Sequence, residues 1–464
     1  MDLRKLFYPE KIAVVGASPG FDGGKMPFFQ FLQFMEYKGA LYPVNPAHAE
    51  ISGVKAYPSL DDVPETVDLV IAQIPARFAI DTVKAAGRNG APFVHFFTSG
   101  FSEVGNMELE KELVETARAS NVRLVGPNCI GVLCAESRIT FNMEFKPNGK
   151  GNVGFLGQSG GVSDNFVRMS GSRKIRLNKA VSYGNQADLK LEDFLAYFAE
   201  DPEIEAAAIY VEDVKNGPAF LDALGKTTAS KPVILLKGGS TQRGAKAAAS
   251  HTGAMAGDFK IFSSAVNQKG GIIVDTFEQM MDLMMLATST RLPRGNRVGF
   301  LGAGGGTSVC FTDLAAKAGL EMPVLAQAVQ DRISEKIPNV NTSTANPVDL
   351  GAFGFDFSIM AHTMLAMDQD ENIDVIMPYF SLDFITSFAP HMASSGPEII
   401  LETVAKMKKP VIPILSKFAE DVLEMEKVRI EMFSRFREGG LAVFNTIQDC
   451  VNAASAILTW SNGR

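Results

Sequence analysis

Short apolar runs alternate with longer segments of helical periodicity along the chain. The apolar runs predict strands at residues 11–15, 40–44, 67–74, 92–97, 122–125, 152–156, 206–211, 232–236, 271–274, 297–301, 375–379 and 410–415. Strands that are buried on both faces of a parallel sheet have continuous apolar sequences of this kind. Strands that alternate with helices are typical of α/β layers joined by right-handed crossovers. The pattern therefore predicts an α/β fold with mostly parallel sheets.

Three of these predicted strands lead into a glycine-rich turn, at Gly16, Gly157 and Gly302. We interpret each as the first strand of a doubly wound, Rossmann-like or flavodoxin-like domain. A Gly-Lys-Gly stretch at 149–151 and a segment with Pro and Gly at 288–296 fit the boundaries. The predicted domains are residues 1–145, 146–288 and 297–464, in line with the roughly three domains that this length allows.

Two of the turns have nearly the same sequence. Val-Gly-Phe-Leu-Gly-Gln-Ser-Gly-Gly occupies residues 153–161, and Val-Gly-Phe-Leu-Gly-Ala-Gly-Gly-Gly occupies residues 298–306. Each pattern predicts a strand that runs into a helix N-terminus, where backbone N–H groups and the helix dipole suit a phosphate. The pair suggests a phosphate held from two sides, by Ser159, Gly160 and Gly161 and by Gly304, Gly305, Gly306 and Thr307.

One histidine stands in a loop of small residues between the two turns. His251 lies between Ser250 and Thr252 in a glycine-rich stretch at 237–257, whereas the other four histidines have no comparable surroundings. Neutral imidazole is a good nucleophile near pH 7, since its ordinary pKa is ~6.5. We interpret His251 as a nucleophile that carries a phosphoryl group.

Such a nucleophile needs its second ring nitrogen held protonated, which is a task for a carboxylate. Glu212, at the end of the predicted strand 206–211, is the best placed candidate. Asp213 is its competitor, and an exposed charge at the end of a strand is the alternative interpretation of Glu212.

The first glycine turn lacks the full Gly-x-Gly-x-x-Gly spacing, and Asn45 stands where an NAD enzyme carries an acidic residue. The ligand we expect is therefore a different phosphorylated nucleotide, with Lys25 close enough in sequence to supply positive charge. A turn that binds nothing is the alternative.

Ser18 and Ser159 also match the Gly-x-Ser-x-Gly elbow of serine hydrolases. A required nucleophile would not explain why Gly304 takes the position of Ser159 in the near-repeat.

Bulk composition excludes several classes of function. The formal net charge of −8 disfavours a nucleic-acid partner or an anionic membrane surface. The four cysteines form no CxxC pair and no metal-ligand spacing, so no metal site is predicted. No apolar stretch reaches the roughly 20 residues of a membrane span, and no signal peptide is visible. A cytoplasmic location is expected.

These residues resemble a known family. The stretch Gly-Ala-Lys-Ala-Ala-Ala-Ser-His-Thr-Gly at 244–253 is similar to the phosphohistidine loop of the alpha subunits of ADP-forming acyl-CoA synthetases, in the succinyl-CoA synthetase superfamily. Residues 39–58, Thr-Ser-Gly-Phe-Ser at 98–102, Gly-Pro-Asn-Cys-Ile-Gly at 126–131 and Asn-Pro-Val-Asp at 346–349 also match the family's patterns. The resemblance covers essentially the whole chain.

The resemblance implies that residues 1–145 bind coenzyme A through Gly16, Ser18, Lys25, Asn45, Pro46, Pro75, Ser99 and Gly100. Gln73 interrupts the apolar strand just before this site and departs from the pattern. The resemblance also implies that Glu212 and His251 are catalytic and that the two glycine turns bind phosphate. Gly184 and Asn185 are candidates to face the acyl group.

The implied reaction converts acyl-CoA, phosphate and ADP into a carboxylate, CoA and ATP through an acyl phosphate and a phosphohistidine. No segment resembles the family's ATP-grasp domain, so ADP or ATP with Mg²⁺ is expected on a beta subunit, in an α2β2 assembly. A CoA-binding regulatory subunit, or one that processes acyl-CoA without being a synthetase, is the alternative. An NAD-linked dehydrogenase is disfavoured by Asn45.

Overall fold

The structure is a computed structural model that describes residues 2–20, 27–147, 149–244, 246, 258–338 and 340–463. The chain forms two compact units, Met1–Met280 and Met281–Arg464, and each is described by itself. The strands are β1 Lys11–Val15, β2 Ala40–Val44, β3 Glu50–Ile51, β4 Val54–Lys55, β5 Leu69–Ala72, β6 Phe93–Phe96, β7 Arg123–Val125, β8 Gly131–Cys134, β9 Val153–Gly157, β10 Leu177–Ser182, β11 Ala206–Val211, β12 Val233–Lys237, β13 Ile272–Val274, β14 Val298–Gly302, β15 Val348–Asp349, β16 Val375–Ser381 and β17 Ile414–Ser416.

Helices connect most of these strands. Their bounds are α1 Arg4–Phe7, α2 Phe28–Phe34, α3 Ala79–Asn89, α4 Met107–Ala119, α5 Gly160–Ser172, α6 Leu191–Glu200, α7 Gly217–Thr228, α8 Phe259–Gln268, α9 Phe277–Ala287, α10 Gly305–Lys317, α11 Gln327–Ser334, α12 Phe357–Asp368, α13 Leu382–Phe388, α14 Met392–Lys406, α15 Leu423–Glu438 and α16 Ile447–Asn462. Short 3₁₀ turns add to them after β4, β5, β6 and β15. The predicted α/β class is confirmed.

The first sheet has the strand order β2-β1-β5-β6-β7, and its neighbouring strands are parallel. Its central strands are apolar and fully buried, as the continuous apolar runs predicted. The chain leaves β1 toward β2 on one side and returns to β5 on the other side. A crevice at the carboxyl ends of β1 and β5 is therefore the expected ligand position in such a sheet.

The second sheet has the order β13-β12-β11-β9-β10-β8 and is parallel except for β8, which runs antiparallel to β10. The strand β8 comes from before residue 145, the predicted end of the first domain, and pairs with the second sheet. The domain limits themselves stay a prediction.

The strand β10 escaped prediction because Asn178 and Lys179 interrupt its apolar pattern. Lys179 is nevertheless fully buried. Its ammonium lies 2.8 Å from Asp201 Oδ2, donates to Asn178 Oδ1 at 2.7 Å, and sits 4.9 Å from the centre of the Tyr8 ring. A buried charge is tolerated when it is paired in this way.

The second unit contains the third sheet, with order β15-β14-β16-β17 and parallel neighbours. The strand β14 and the helix α10 that follows it reproduce the predicted strand-to-helix turn. Two fully buried rings, Phe300 and Phe311, stack between that strand and that helix at 4.0 Å between centroids.

Candidate functional site

Gly16 lies where β1 ends and packs against the neighbouring strands. Its N–H donates to Val44 O at 2.9 Å. Its φ is +86°, and a Cβ at this position would lie 2.5 Å from Gln73 O. Only glycine combines this backbone conformation with this close approach. The turn therefore holds the main chain tightly across the carboxyl ends of β2, β1 and β5.

The other predicted CoA residues in the described part of the chain follow the ends of strands in the same sheet. Ser18 comes after β1, Asn45 and Pro46 after β2, Pro75 after β5, and Ser99 and Gly100 after β6. Carboxyl ends of parallel strands share one edge of a sheet, so the fold brings these residues to a common edge. Lys25 lies outside the described residues.

The Asn45 side chain is hydrogen-bonded to nearby main-chain groups. Its Nδ2 donates to Ala17 O at 2.7 Å, and its Oδ1 accepts from Ala47 N–H at 2.9 Å. It thus connects the turn after β1 to the turn after β2. A dinucleotide site has a carboxylate at this position, which binds the ribose hydroxyls. Here the residue is an amide, and its polar atoms bond the main chain instead.

The contacts that join the first and second sheets were not evident from the sequence. Asn128 N–H donates to Thr98 O at 2.9 Å, and Asn185 N–H donates to Pro127 O at 3.0 Å. Asn185 Nδ2 also donates to Glu103 Oε2 at 2.6 Å and to Glu110 Oε2 at 2.8 Å. Asn185, a candidate to face the acyl group, therefore has its side chain bound to two carboxylates.

Glu103 also accepts hydrogen bonds from the turn after β6. Its Oε1 accepts from Gly100 N–H at 2.5 Å and from Phe101 N–H at 3.2 Å. Burial acts to raise the pKa of Glu103, but the bonds from Asn185 and from the backbone N–H groups outweigh it and hold that pKa below its ordinary value. An ionised Glu103 thus ties the predicted CoA turn to the loop after β10.

The first predicted phosphate turn is the start of α5. Ser159 is its N-cap, and the Ser159 hydroxyl accepts from Val162 N–H at 3.5 Å. Ser159 and Gly160 are partly exposed and Gly161 is exposed. The first N–H groups of a helix have no partner within the helix. Together these features fit an anion-binding helix start.

The two acidic residues after β11 have different surroundings. Asp213 Oδ1 accepts from the side-chain amides of Gln158 and Gln186, and Asp213 Oδ2 lies 2.9 Å from Lys215 Nζ. Glu212 is 8% exposed, and its Oε1 accepts from the Tyr210 hydroxyl at 3.1 Å. Glu212 Oε2 is buried and has no hydrogen-bond partner among the described residues. A buried oxygen without a donor lowers the stability of the folded chain, so a donor is expected to reach it.

The loop that carries His251 leaves the sheet next to Glu212. A Cβ on Gly238 would lie 2.7 Å from the Tyr210 hydroxyl and 3.2 Å from Glu212 Cγ. Lys237 Nζ donates to Glu212 O at 2.6 Å, and burial lowers the pKa of this lysine. His251 itself lies outside the described residues.

The second glycine turn, in the other unit, is built differently. Gly304 has φ +108°, and its N–H donates to Asp349 Oδ1 at 2.9 Å. Asp349 Oδ1 also accepts from Gly351 N–H at 2.9 Å. Gly304, Gly305 and Gly306 are exposed, and Thr307 is partly exposed. Asp349 belongs to one of the family's sequence patterns, but its role as an anchor of this turn was not predicted.

Two histidines in the described part of the chain make contacts that fit structural roles. His95 is buried and its Nε2 lies 3.0 Å from Cys129 O, and burial lowers its pKa to about 4. His362 Nε2 lies 2.8 Å from Arg332 O.

The Ser18 hydroxyl donates to Gly20 O at 3.0 Å. Within the described ranges, neither Ser18 nor Ser159 is bonded to a histidine, so a hydrolase triad finds no support there.

Two features are absent from the described residues. No group of three or more His, Cys, Asp or Glu side chains there could hold a metal ion. None of the helices there combines the length and the apolar character that crossing a membrane requires.

Comparison with known proteins agrees with this geometry. A CoA binding domain model matches residues 10–135, and a model of the succinyl-CoA ligase like flavodoxin domain matches residues 150–287. The alpha subunit of acetate–CoA ligase [ADP-forming] II from Pyrococcus furiosus is 34% identical, over 98% of this chain and 99% of its own. The chain belongs to the alpha subunits of ADP-forming acyl-CoA synthetases. The predicted family is therefore confirmed, and its members are acid–thiol ligases.

Two further relatives extend the comparison. Acetate–CoA ligase [ADP-forming] of Methanocaldococcus jannaschii is 34% identical over 75% of this synthetase chain, which matches 49% of that protein. The solved dinucleotide-forming acetyl-coenzyme A synthetase 1 of Ca. Korarchaeum cryptofilum, in complex with phosphate and ADP, superimposes with a TM-score of 0.88. It is 31% identical, and the alignment covers 99% of this chain and 97% of that one.

Proposed function

We propose that this chain carries out the acyl-phosphate and phosphohistidine steps of an ADP-forming acyl-CoA synthetase, with His251 as the phosphoryl carrier. The observation that carries the proposal is the buried Oε2 of Glu212, which has no hydrogen-bond partner within the described ranges. This acceptor lies where the loop of His251 leaves the sheet, and Glu212 adjoins the start of α5 through Gln158. A histidine ring N–H is the kind of donor that such an oxygen requires.

The chemistry proceeds in two transfers in this chain. A phosphate oxygen attacks the thioester carbonyl, the C–S bond breaks, and CoA leaves as the thiolate with acyl phosphate formed. The unprotonated ring nitrogen of His251 then attacks phosphorus, and the P–O bond to the acyl group breaks to release the carboxylate. Glu212 holds the N–H of the other ring nitrogen throughout. N–H groups at the α5 start offset phosphoryl charge, which is the main task in such transfers.

The first sheet supplies the CoA site in this proposal. Gly16, Ser18, Asn45, Pro46, Pro75, Ser99 and Gly100 line its carboxyl edge, and Lys25 adds positive charge. Support comes from the common edge that these strand ends share and from the CoA binding domain model over residues 10–135. The link from Gly100 through Glu103 to Asn185 joins this edge to the second sheet, which supports a thioester end that faces the second sheet.

The nucleotide half of the reaction belongs to a partner in this proposal. The Pyrococcus furiosus relative is named a subunit alpha, and the Methanocaldococcus jannaschii relative is about twice as long as the part that this chain matches. We infer an ATP-grasp beta subunit, an α2β2 assembly, and Mg²⁺ bound with ADP or ATP on that subunit. ADP attacks the phosphohistidine there, the N–P bond breaks, and ATP forms. Gly304, Gly305, Gly306 and Thr307 are proposed as a second phosphoryl-binding helix start, and the cytoplasm as the location.

Reconstitution tests this division of labour. The chain alone, given acetyl-CoA and phosphate, should release CoA slowly and form no ATP when ADP is added. Addition of the beta subunit should restore ATP formation. ATP synthesis by the chain alone would show that it contains a nucleotide site. A complex that binds CoA but never transfers phosphate would favour the regulatory alternative.

A further inference from the structure

Gln158, just before the Ser159 helix start, has a side-chain amide that is hydrogen-bonded through both its oxygen and its nitrogen. The residue is 5% exposed. Its Oε1 accepts from Glu212 N–H at 2.7 Å and from Asp213 N–H at 2.9 Å, and its Nε2 donates to Asp213 Oδ1. Backbone N–H groups can only donate, so the orientation of the amide is fixed by its partners. The amide therefore connects β9 to the residues after β11.

This connection fixes the spacing of two proposed catalytic parts. Ser159, the N-cap of α5, is the next residue after Gln158, and Glu212 is held through its main-chain N–H. The main chain of Glu212 is also fixed from the other side, by Lys237 Nζ on its carbonyl. The phosphate turn and the carboxylate that would orient His251 are thus joined by one side chain.

The near-repeat in the other unit lacks this arrangement. Ala303 stands in the position of Gln158 there, and the turn is anchored instead by the carboxylate of Asp349 on Gly304 N–H. A strand-to-helix turn of this sequence can therefore form without a glutamine. Glutamine occupies this position in the turn that adjoins Glu212, and alanine occupies it in the other turn. This difference points to a role for Gln158 beyond the formation of the turn.

We propose that Gln158 is a positioning residue for phosphoryl transfer, and that it acts through Glu212 and Asp213. The inference rests on the proposed function. Loss of the amide would remove the bonds that hold the Glu212 and Asp213 N–H groups beside the α5 start, although Gln158 N–H would still donate to Tyr210 O. A misplacement of about 1 Å can slow such a step by about 100-fold. CoA binding occurs at the first sheet and should be unaffected.

The test uses the full chain with its beta subunit, acetyl-CoA and radiolabelled phosphate. Gln158→Leu should slow phosphohistidine formation by about 10- to 100-fold and leave the KM for acetyl-CoA within about twofold. Gln448→Leu is the matched control, since Gln448 is exposed on α16 and bonds only Asn452 among the described residues. The control should transfer phosphate at the normal rate.

Gln158→Glu gives a readout that a purely structural role would not change. The ionised carboxylate of this variant could accept both N–H groups but would place a negative charge against Asp213. Once protonated, the introduced carboxyl group could donate to Asp213 as the amide does. The transfer rate of this variant should therefore recover as the pH falls from 8 to 6, relative to the natural chain. The titratable groups around this position in the described residues are Glu212, Asp213, Lys215, Lys237, Tyr210, Tyr183 and Glu192.

Rates are divided by the number of CoA-binding sites, so that poorly folded protein does not mimic a slow step. Normal labelling of Gln158→Leu, a change in KM alone, or a Gln158→Glu profile parallel to that of the natural chain would overturn the inference. Absence of labelling in the natural chain would instead contradict the proposed function. The two failures are therefore distinct.

Discussion

The choice between Glu212 and Asp213 as the residue that orients His251 can be decided by two isosteric changes. In Asp213→Asn, the remaining carbonyl oxygen can still accept from Gln158 and Gln186, which now bond Oδ1. The loss is the ion pair with Lys215, which reaches solvent through the lysine side chain (43% exposed), while the Asp213 side chain is 11% exposed. Pairs of this kind contribute about 0–1 kcal/mol. We expect this variant to transfer phosphate at close to the normal rate.

Glu212→Gln should behave very differently. The carbonyl of the glutamine can keep the bond from the Tyr210 hydroxyl, but its NH₂ group then takes the place of Oε2 and cannot accept a ring N–H. Positioned groups of this type contribute on the order of 10²- to 10⁴-fold. That range corresponds to about 3–5 kcal/mol in the activation free energy of phosphohistidine formation.

Rapid-quench labelling with acetyl-CoA and radiolabelled phosphate measures this step directly, and calorimetry with CoA verifies that each variant is folded. A large loss in Glu212→Gln beside a small loss in Asp213→Asn is the expected outcome. The reverse order would assign the orienting role to Asp213. Equal, small losses in both would show that Glu212 Oε2, which has no partner among the described residues, does not orient His251.

Two other predictions concern the first sheet. Gly16→Ala should weaken CoA binding at least about tenfold, because its Cβ would press on Gln73 O. Gly53 has a similar φ of +80° and open space around it, so Gly53→Ala adds only the ~1–2 kcal/mol cost of the backbone conformation. Calorimetry on the full chain should show this contrast in CoA affinity and no NAD binding, and equal losses of CoA affinity in both variants would contradict the prediction. His95 has a pKa lowered by burial to about 4, against ~6.5 when unfolded, so the unfolded chain binds more protons between these values and roughly 3 kcal/mol of stability should disappear as the pH falls from 6.5 to 4. In pH-dependent thermal unfolding, His95→Gln should flatten that slope, and an unchanged slope would assign the acid sensitivity to other groups.

The sequence pattern located strands that are apolar throughout. The strand β11 was predicted with the bounds that the structure has, because all its residues suit a buried parallel position. The strand β10 was missed because its lysine is buried through an ion pair with Asp201, and such a partner is distant in sequence. Local hydrophobicity does not carry that information.

The site was predictable to a similar degree. Strand ends rich in glycine indicated the positions of Gly16 and Ser159, because such turns have local requirements. The roles of Gln158 and Asp349 depend on contacts across the sheet and could not be seen locally. One signal was available, since the two near-repeats differ at Gln158 and Ala303. A difference within otherwise matching turns can indicate a residue whose task lies outside the turn.

Phosphorylation of His251 can be measured directly and decides whether this residue carries the phosphoryl group. The complex is incubated with ATP and Mg²⁺, and the chain is incubated separately with acetyl-CoA and radiolabelled phosphate. We expect an acid-labile, base-stable phosphoryl group on His251 from both directions, and none in His251→Ala. Equal labelling of His251→Ala, or a natural chain that turns over without any such adduct, would contradict it.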